Sequence, residues 1–170
     1  HPLNIQNQGH MGDWPCVART YITFPLSAVP AGKLIRSAKL VMRQMGGSNP
    51  ADAVFSMIQV LTVSEDWNEA TITWNNAPLA KENVAITRVE VVDPDWTDPN
   101  VLQNLPSITW DVSRAAQAAV TAQAPLRLAL YSSDWGSGVG INTGKYFYSS
   151  EADDYIPFLR PKLVIEYVDP

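Results

Sequence analysis

Three groups of carboxylates lie close enough along the chain to suggest acid/base or metal chemistry: Glu65, Asp66 and Glu69; Asp93, Asp95 and Asp98; and Glu151, Asp153 and Asp154. Paired carboxylates can drive glycoside hydrolysis when burial raises one pKa and a cleft fixes their separation. Spacing alone supplies neither condition. Oxygen ligands spaced by two, as in "DPDWTD" and "EADD", also suit Ca²⁺, although neither stretch matches an EF-hand loop. Glu151, Asp153 and Asp154 are the candidate ligands of a structural calcium ion; the alternative is solvated loop charge. No other cofactor is expected.

Six tryptophans offer a different chemistry, because a flat aromatic face beside polar groups can receive the C–H face of a sugar ring. Trp74 and Trp110 alternate with Ile72 and with Ile108 and Val112, which assigns both to a core-facing strand side. Trp67 precedes the first of these strands and is also read as structural. Trp14, Trp96 and Trp135 lie among turn residues in "GDWPC", "DPDWTDP" and "SSDWGSGVG", the kind of loop that carries binding residues at the ends of a sandwich. Trp135 is the leading candidate, in a Gly-rich loop with Asn142 and followed by Lys145, Tyr146 and Tyr148.

Other chemistries find little support. Cys16 is the single cysteine, so no internal disulfide or cysteine-based metal cluster can form, and as a small hydrophobe it reads as buried or inert. His1 and His10 could join the N-terminal amine around copper, as in the histidine brace of secreted polysaccharide monooxygenases. Those enzymes place their second histidine much further along the chain, so copper chemistry is a remote alternative. Twelve Lys and Arg against seventeen Asp and Glu give a formal charge of −5, with no basic run to draw in a nucleic-acid backbone or an anionic lipid surface. An alginate-like polyanion would need clustered cations, whereas these are scattered, so a neutral or weakly charged glycan is the better match. No apolar run reaches bilayer length, and "HPLNIQNQGH" lacks the charged start and apolar stretch of a secretory signal.

Short runs of alternating apolar residues must position these groups. "RTYITFPLS", "SAKLVMRQ", "SITWDV", "PLRLALYS" and "PKLVIEYV" each place three apolar side chains on one face, the last with Leu163, Ile165 and Tyr167. "VFSMIQVLTV", "ATITW", "VAITRVEVV" and "GKYFYSS" are further strand candidates by their β-branched and aromatic content. Turn residues fall between them, and most of the thirteen prolines stand in or beside those turns. The Ala-rich "SRAAQAAVTAQA" predicts one short helix near 113–122, with Asp111 or Ser113 capping its start. The pattern implies an all-β fold: a two-layer, jelly-roll-like β-sandwich in one domain spanning 1–170, residues 1–16 forming an extension or partial strand.

The segments "ARTYITFPLSAVPAGKLIRSAKLVM", "VLTVSEDWNEATITWNNAP", "TWDVSRAAQAAV" and "FYSSEADDYIPFLRPKLVIEYV" resemble, in that order, the DNRLRE family of extracellular β-sandwich modules. Pro25 stands where that family commonly has Asp, and only "HPLNIQNQGHMGDWP" occupies the place of its first strand. The family is similar to carbohydrate-binding modules, some of which bind alginate. The resemblance implies a non-catalytic module of a secreted or cell-surface bacterial or archaeal protein, with a glycan or surface polymer as partner and no membrane insertion. The alternative it leaves open is a structural or adhesive subunit, assembled with neighbouring copies by strand donation into an open sheet edge.

Overall fold

The computed structural model describes the backbone of residues 2–11, 14–49, 51–133 and 143–170, and the side chains of these except 8–11 and 14–16. The five runs of clean alternation all become strands, and three of the four weaker ones do so as well. In chain order the strands are β1 (Leu3–Met11), β2 (Trp14–Ala18), β3 (Thr20–Phe24), β4 (Leu34–Gly47), β5 (Ser56–Val63), β6 (Ala80–Val89), β7 (Ser107–Asp111), β8 (Leu126–Ser132), β9 (Lys145–Phe147) and β10 (Lys162–Val168). Two short helices, α1 (Val101–Asn104) and α2 (Ser113–Thr121), complete the set with a 3-10 turn at Pro157–Leu159. The helix expected near 113–122 is α2; α1 is an addition that the alternation gave no hint of.

All strand pairs are antiparallel and divide into two sheets, making the expected β-sandwich. One sheet runs β3-β8-β5-β6. The other is organised by β4, whose Ala38, Leu40 and Met42 point into the core. Its even-numbered residues bond towards β7, as in Gln44 N–H to Pro106 O, while Arg43 O accepts from Tyr148 N–H on the opposite flank. That flank carries β10 along the first part of β4 and β9 along the last, and β1 and β2 continue outward from β9. Between β3 and β4, Lys33 N–H turns back to Pro30 O with Gly32 at φ +80°, the left-handed conformation that glycine adopts without strain.

Trp110 joins the layers. Its side chain is 0% exposed, its indole N–H donates to Ile58 O across the sandwich at 3.0 Å, and its ring meets Phe147 edge-on with centroids 6.1 Å apart. A buried indole needs such a partner, since an unpaired N–H would lose its water without replacement. Ile58, Leu128 and Leu130 of one sheet and Leu40, Met42 and Phe147 of the other belong to the same core cluster.

Three expectations change. The N-terminal segment is neither an extension nor a partial strand: β1 and β2 form a hairpin, and β1 sits beside β9 with Ile5 in the core. The place where a donated strand was envisaged is therefore filled by the chain itself. "ATITW" is not a strand but a run of turns. Tyr167 is exposed rather than inward, because the β10–β4 register shifts between Glu166 and Tyr167 and breaks the alternation of Leu163 and Ile165.

Candidate functional site

The connection from β5 to β6, residues 64–79, folds over the outer side of the four-stranded sheet. Its backbone groups are met by its own asparagines. Asn68 Oδ1 accepts from Ala70 N–H, and Asn76 Oδ1 accepts from the N–H and hydroxyl of Thr73. Asn76 Nδ2 in turn donates to Thr71 O. Asparagine side chains that mimic backbone partners compete directly with a β-ladder, and here they prevail. Trp67 pins one end of the loop, edge-on to Tyr21 of β3 at 5.5 Å, and the Tyr21 hydroxyl donates to Pro78 O at the other.

This anchoring leaves Trp74 facing outward with 61% of its surface exposed, against the core position expected from alternation. The ring is nonetheless supported from beneath. The Arg19 guanidinium lies 4.5 Å from the Trp74 ring centroid and 4.3 Å from that of Tyr131 on β8, a ring–guanidinium–ring stack. The hydroxyls of Tyr131 and Tyr21 are 3.1 Å apart. With the Tyr21 proton directed to Pro78 O, Tyr131 donates to Tyr21. Burial, followed by this bond, pushes Tyr131 up to about 12, so it remains a neutral donor.

Trp74, Arg19 and Tyr131 border a cleft of about 550 Å³ whose other walls include Gln6, Asn7 and Gln59. The lining combines open aromatic area with amides that both donate and accept, and it contains one cation and no carboxylate among the described residues. A larger hollow of about 910 Å³ lies between residues 25–34 and the C-terminal end of α2, but among the described residues it has no aromatic ring in its wall. Size alone favours the hollow, and surface chemistry favours the cleft.

The residues singled out from the sequence scatter. Trp135 and Asn142 lie outside the described residues, as does the side chain of Trp14, whose backbone opens β2 opposite Met11. Trp96 is exposed, in a loop where Asp95 is held below the usual carboxylate range by bonds from the Thr97 hydroxyl and N–H, but it does not border the cleft. Lys145 requires a correction, since it is 1% exposed and donates to Val54 O at 2.7 Å and Thr143 O at 2.9 Å. On β9 it shares the buried side with Phe147, where a cation is retained only with such partners. Tyr146 and Tyr148 are half-buried, and burial raises the Tyr148 hydroxyl; neither lines the cleft.

The carboxylates near 151–154 do not converge either. Asp154 pairs with Arg160 at 2.7 Å and Asp153 bonds the Tyr155 hydroxyl, while the Glu151 N–H donates to Ser149 Oγ. Among the described residues no group of three or more His, Cys, Asp or Glu is gathered closely enough to hold a metal ion. His1 and the side chains of His10 and Cys16 lie outside the description.

Trp74, Arg19, Tyr131 and Gln59, which line this candidate cleft, are not among the site residues expected from the sequence. Asn75 and Asn76 directly after Trp74 were the available signal, because adjacent asparagines mark a turn rather than the end of an inward-facing strand. Nothing local distinguishes Arg19 or Tyr131, which meet Trp74 only through the pairing of β3 with β8.

Comparison with known proteins bears on the chain as a whole. The family model described as carbohydrate-binding module family 96 matches residues 2–165. No curated protein sequence matches the chain. The match supports the carbohydrate-binding side of the resemblance drawn from the sequence. Modules of this class are non-catalytic, which sets aside glycoside hydrolysis and the copper alternative. With nearly its full length matched, the chain belongs to carbohydrate-binding module family 96.

Proposed function

We propose that this carbohydrate-binding module acts outside the cell and holds its glycan in the Trp74 cleft, with the open face of Trp74 as the stacking platform. The observation that carries the reading is the stack itself: a tryptophan 61% exposed to water, yet fixed in orientation by Arg19 and Tyr131. A ring fixed before binding loses little freedom when a sugar arrives, which is the condition for useful affinity from a small contact. Hydroxyls on the sugar then meet Gln59, Gln6 and Asn7, whose amides serve either hydrogen-bonding role. The excess of acidic residues in the chain favours a neutral or weakly charged polysaccharide over a polyanion. The extracellular placement is supported by the likeness to secreted and cell-surface modules.

Trp135 and Asn142 are retained as candidate binding residues on the sequence reading alone.

The test is electrophoresis through native gels containing laminarin, xylan, galactomannan, hydroxyethylcellulose or alginate. The wild-type chain is expected to be retarded in at least one gel and Trp74→Ala in none, with the two melting alike. Equal retardation of Trp74→Ala and wild type would refute the site.

A further inference from the structure

We propose that the glycan surface continues from the Trp74 cleft across the outer face of the four-stranded sheet to a second ring–guanidinium pair, Phe55 with Arg88. On this arrangement the module grips the interior of a linear polysaccharide rather than a single sugar or a chain end. The inference rests on the reading of the Trp74 cleft and extends it.

Strand register places the parts in line. On β5 the buried residues Ser56, Ile58 and Val60 face the core, so Met57 and Gln59 belong to the outer side, and Phe55, just before the strand, is placed by its contact with Arg88. Gln59 stands opposite Tyr131 on one flank and the exposed Ile86 on the other, and Met57 stands opposite Arg88. Gln59 therefore links the cleft to β6, and its Oε1 accepts from Asn83 Nδ2 at 2.8 Å. From Tyr131 to Arg88 the path crosses two strand spacings and advances two residues, about 12 Å, which exceeds one pyranose ring.

The far end repeats the chemistry of the near end. The Arg88 guanidinium lies 3.6 Å from the centroid of the Phe55 ring, which is 40% exposed. Arg19 and Trp74 form the same kind of pair on the same sheet face. Arg88 also pairs with Glu90 at 2.5 Å, so this end has little net charge to offer an acidic sugar. A neutral sugar unit suits it, with apolar area from Phe55 and Ile86 and polar edges from Arg88, Glu90 and Asn83.

The same five gels test the extension, with Phe55→Ala and Arg88→Ala run beside Trp74→Ala and wild type, and each variant melted as a check on folding. In a gel that retards the wild type, each of the two variants is expected to lower the apparent association constant, Phe55→Ala by roughly tenfold, the upper end for one aromatic contact. Arg88→Ala, a surface change, keeps the test decisive if Phe55→Ala fails to fold. Wild-type retardation of the folded variants, with Trp74→Ala unretarded, would overturn the track and leave the cleft reading intact. Wild-type retardation of Trp74→Ala overturns the cleft and the track with it, as does a wild-type chain retarded by none of the five polymers.

Discussion

The tripeptide Ile-Thr-Trp occurs at residues 72–74 and again at 108–110, and one copy ends in an exposed tryptophan and the other in a buried one. In β7, Ile108 and Trp110 pair with Met42 and Leu40 of β4, and Trp110 is 0% exposed with its N–H bonded across the core. In the 64–79 connection the same tripeptide has no strand paired with it among the described residues. Asn68 and Asn76 supply the bonds that a neighbouring strand would have supplied, and Trp74 is left outside on Arg19. Alternation shows which side chains could share a face, but a partner strand decides whether that face is built.

Substituting the two tryptophans should give the largest and most contrasting effects. Trp110→Ala removes a buried ring and its indole bond to Ile58 O, at a cost of about 3–5 kcal/mol, read as a large fall in the denaturant midpoint. Trp74→Ala should change stability by less than about 0.5 kcal/mol while removing retardation by the polysaccharide. Equal destabilisation by the two variants would erase the distinction between core and platform.

Asn76→Ala should follow. It deletes the acceptor for Thr73 and the donor to Thr71 O, costing about 1 kcal/mol and releasing the Trp74 loop. The expected result is weaker glycan binding with a shifted tryptophan emission, and binding at wild-type strength would show that the asparagine bonds do not set the ring. Tyr131→Phe is expected to cost about 1 kcal/mol by losing its bond to Tyr21 while keeping the ring against Arg19. Its glycan affinity should stay near wild type.

The architecture was legible because alternation is a property of neighbouring residues: β4, β7 and β8 bury the side chains their patterns indicate. The β1–β2 hairpin was not, since "NIQNQGH" is polar on both faces and only its pairing with β9 makes Ile5 a core residue. Lys145 was misplaced for a related reason. Its place just after the Gly-rich loop suggested a binding role, whereas its position two before Phe147 put it inside, with carbonyl oxygens from 54 and 143 as partners. The cleft was the least readable part, because Arg19, Gln59, Trp74 and Tyr131 come from four separate stretches and meet only after the sheet is assembled. Sequence pointed to the loop tryptophans Trp135, Trp96 and Trp14 and placed Trp74 in the core, whereas tertiary pairing brings Trp74 to the cleft.

The smallest effect comes from the residue after the second tripeptide. Asp111 follows Trp110 where Asn75 follows Trp74, and Asp111 Oδ1 accepts from the hydroxyl of Ser113 at 2.6 Å and from its N–H at 3.0 Å. The Ser113 hydroxyl itself accepts from Ala38 N–H of β4, so Asp111 braces the junction between β7, α2 and β4. These bonds to Ser113 hold the Asp111 carboxyl below its ordinary value of 3.8. A carboxylate lowered on folding stabilises the native state above its unfolded pKa, and that contribution is lost as pH falls through the folded one. Asp111→Ala is therefore expected to cost about 1 kcal/mol or less near pH 7, as for loss of exposed hydrogen bonds. The difference from wild type should shrink on acidification below the ordinary carboxylate range. Melting curves across that range provide the check, and a gap that stays constant with pH would show that Asp111 contributes through packing rather than through its charged bonds to Ser113.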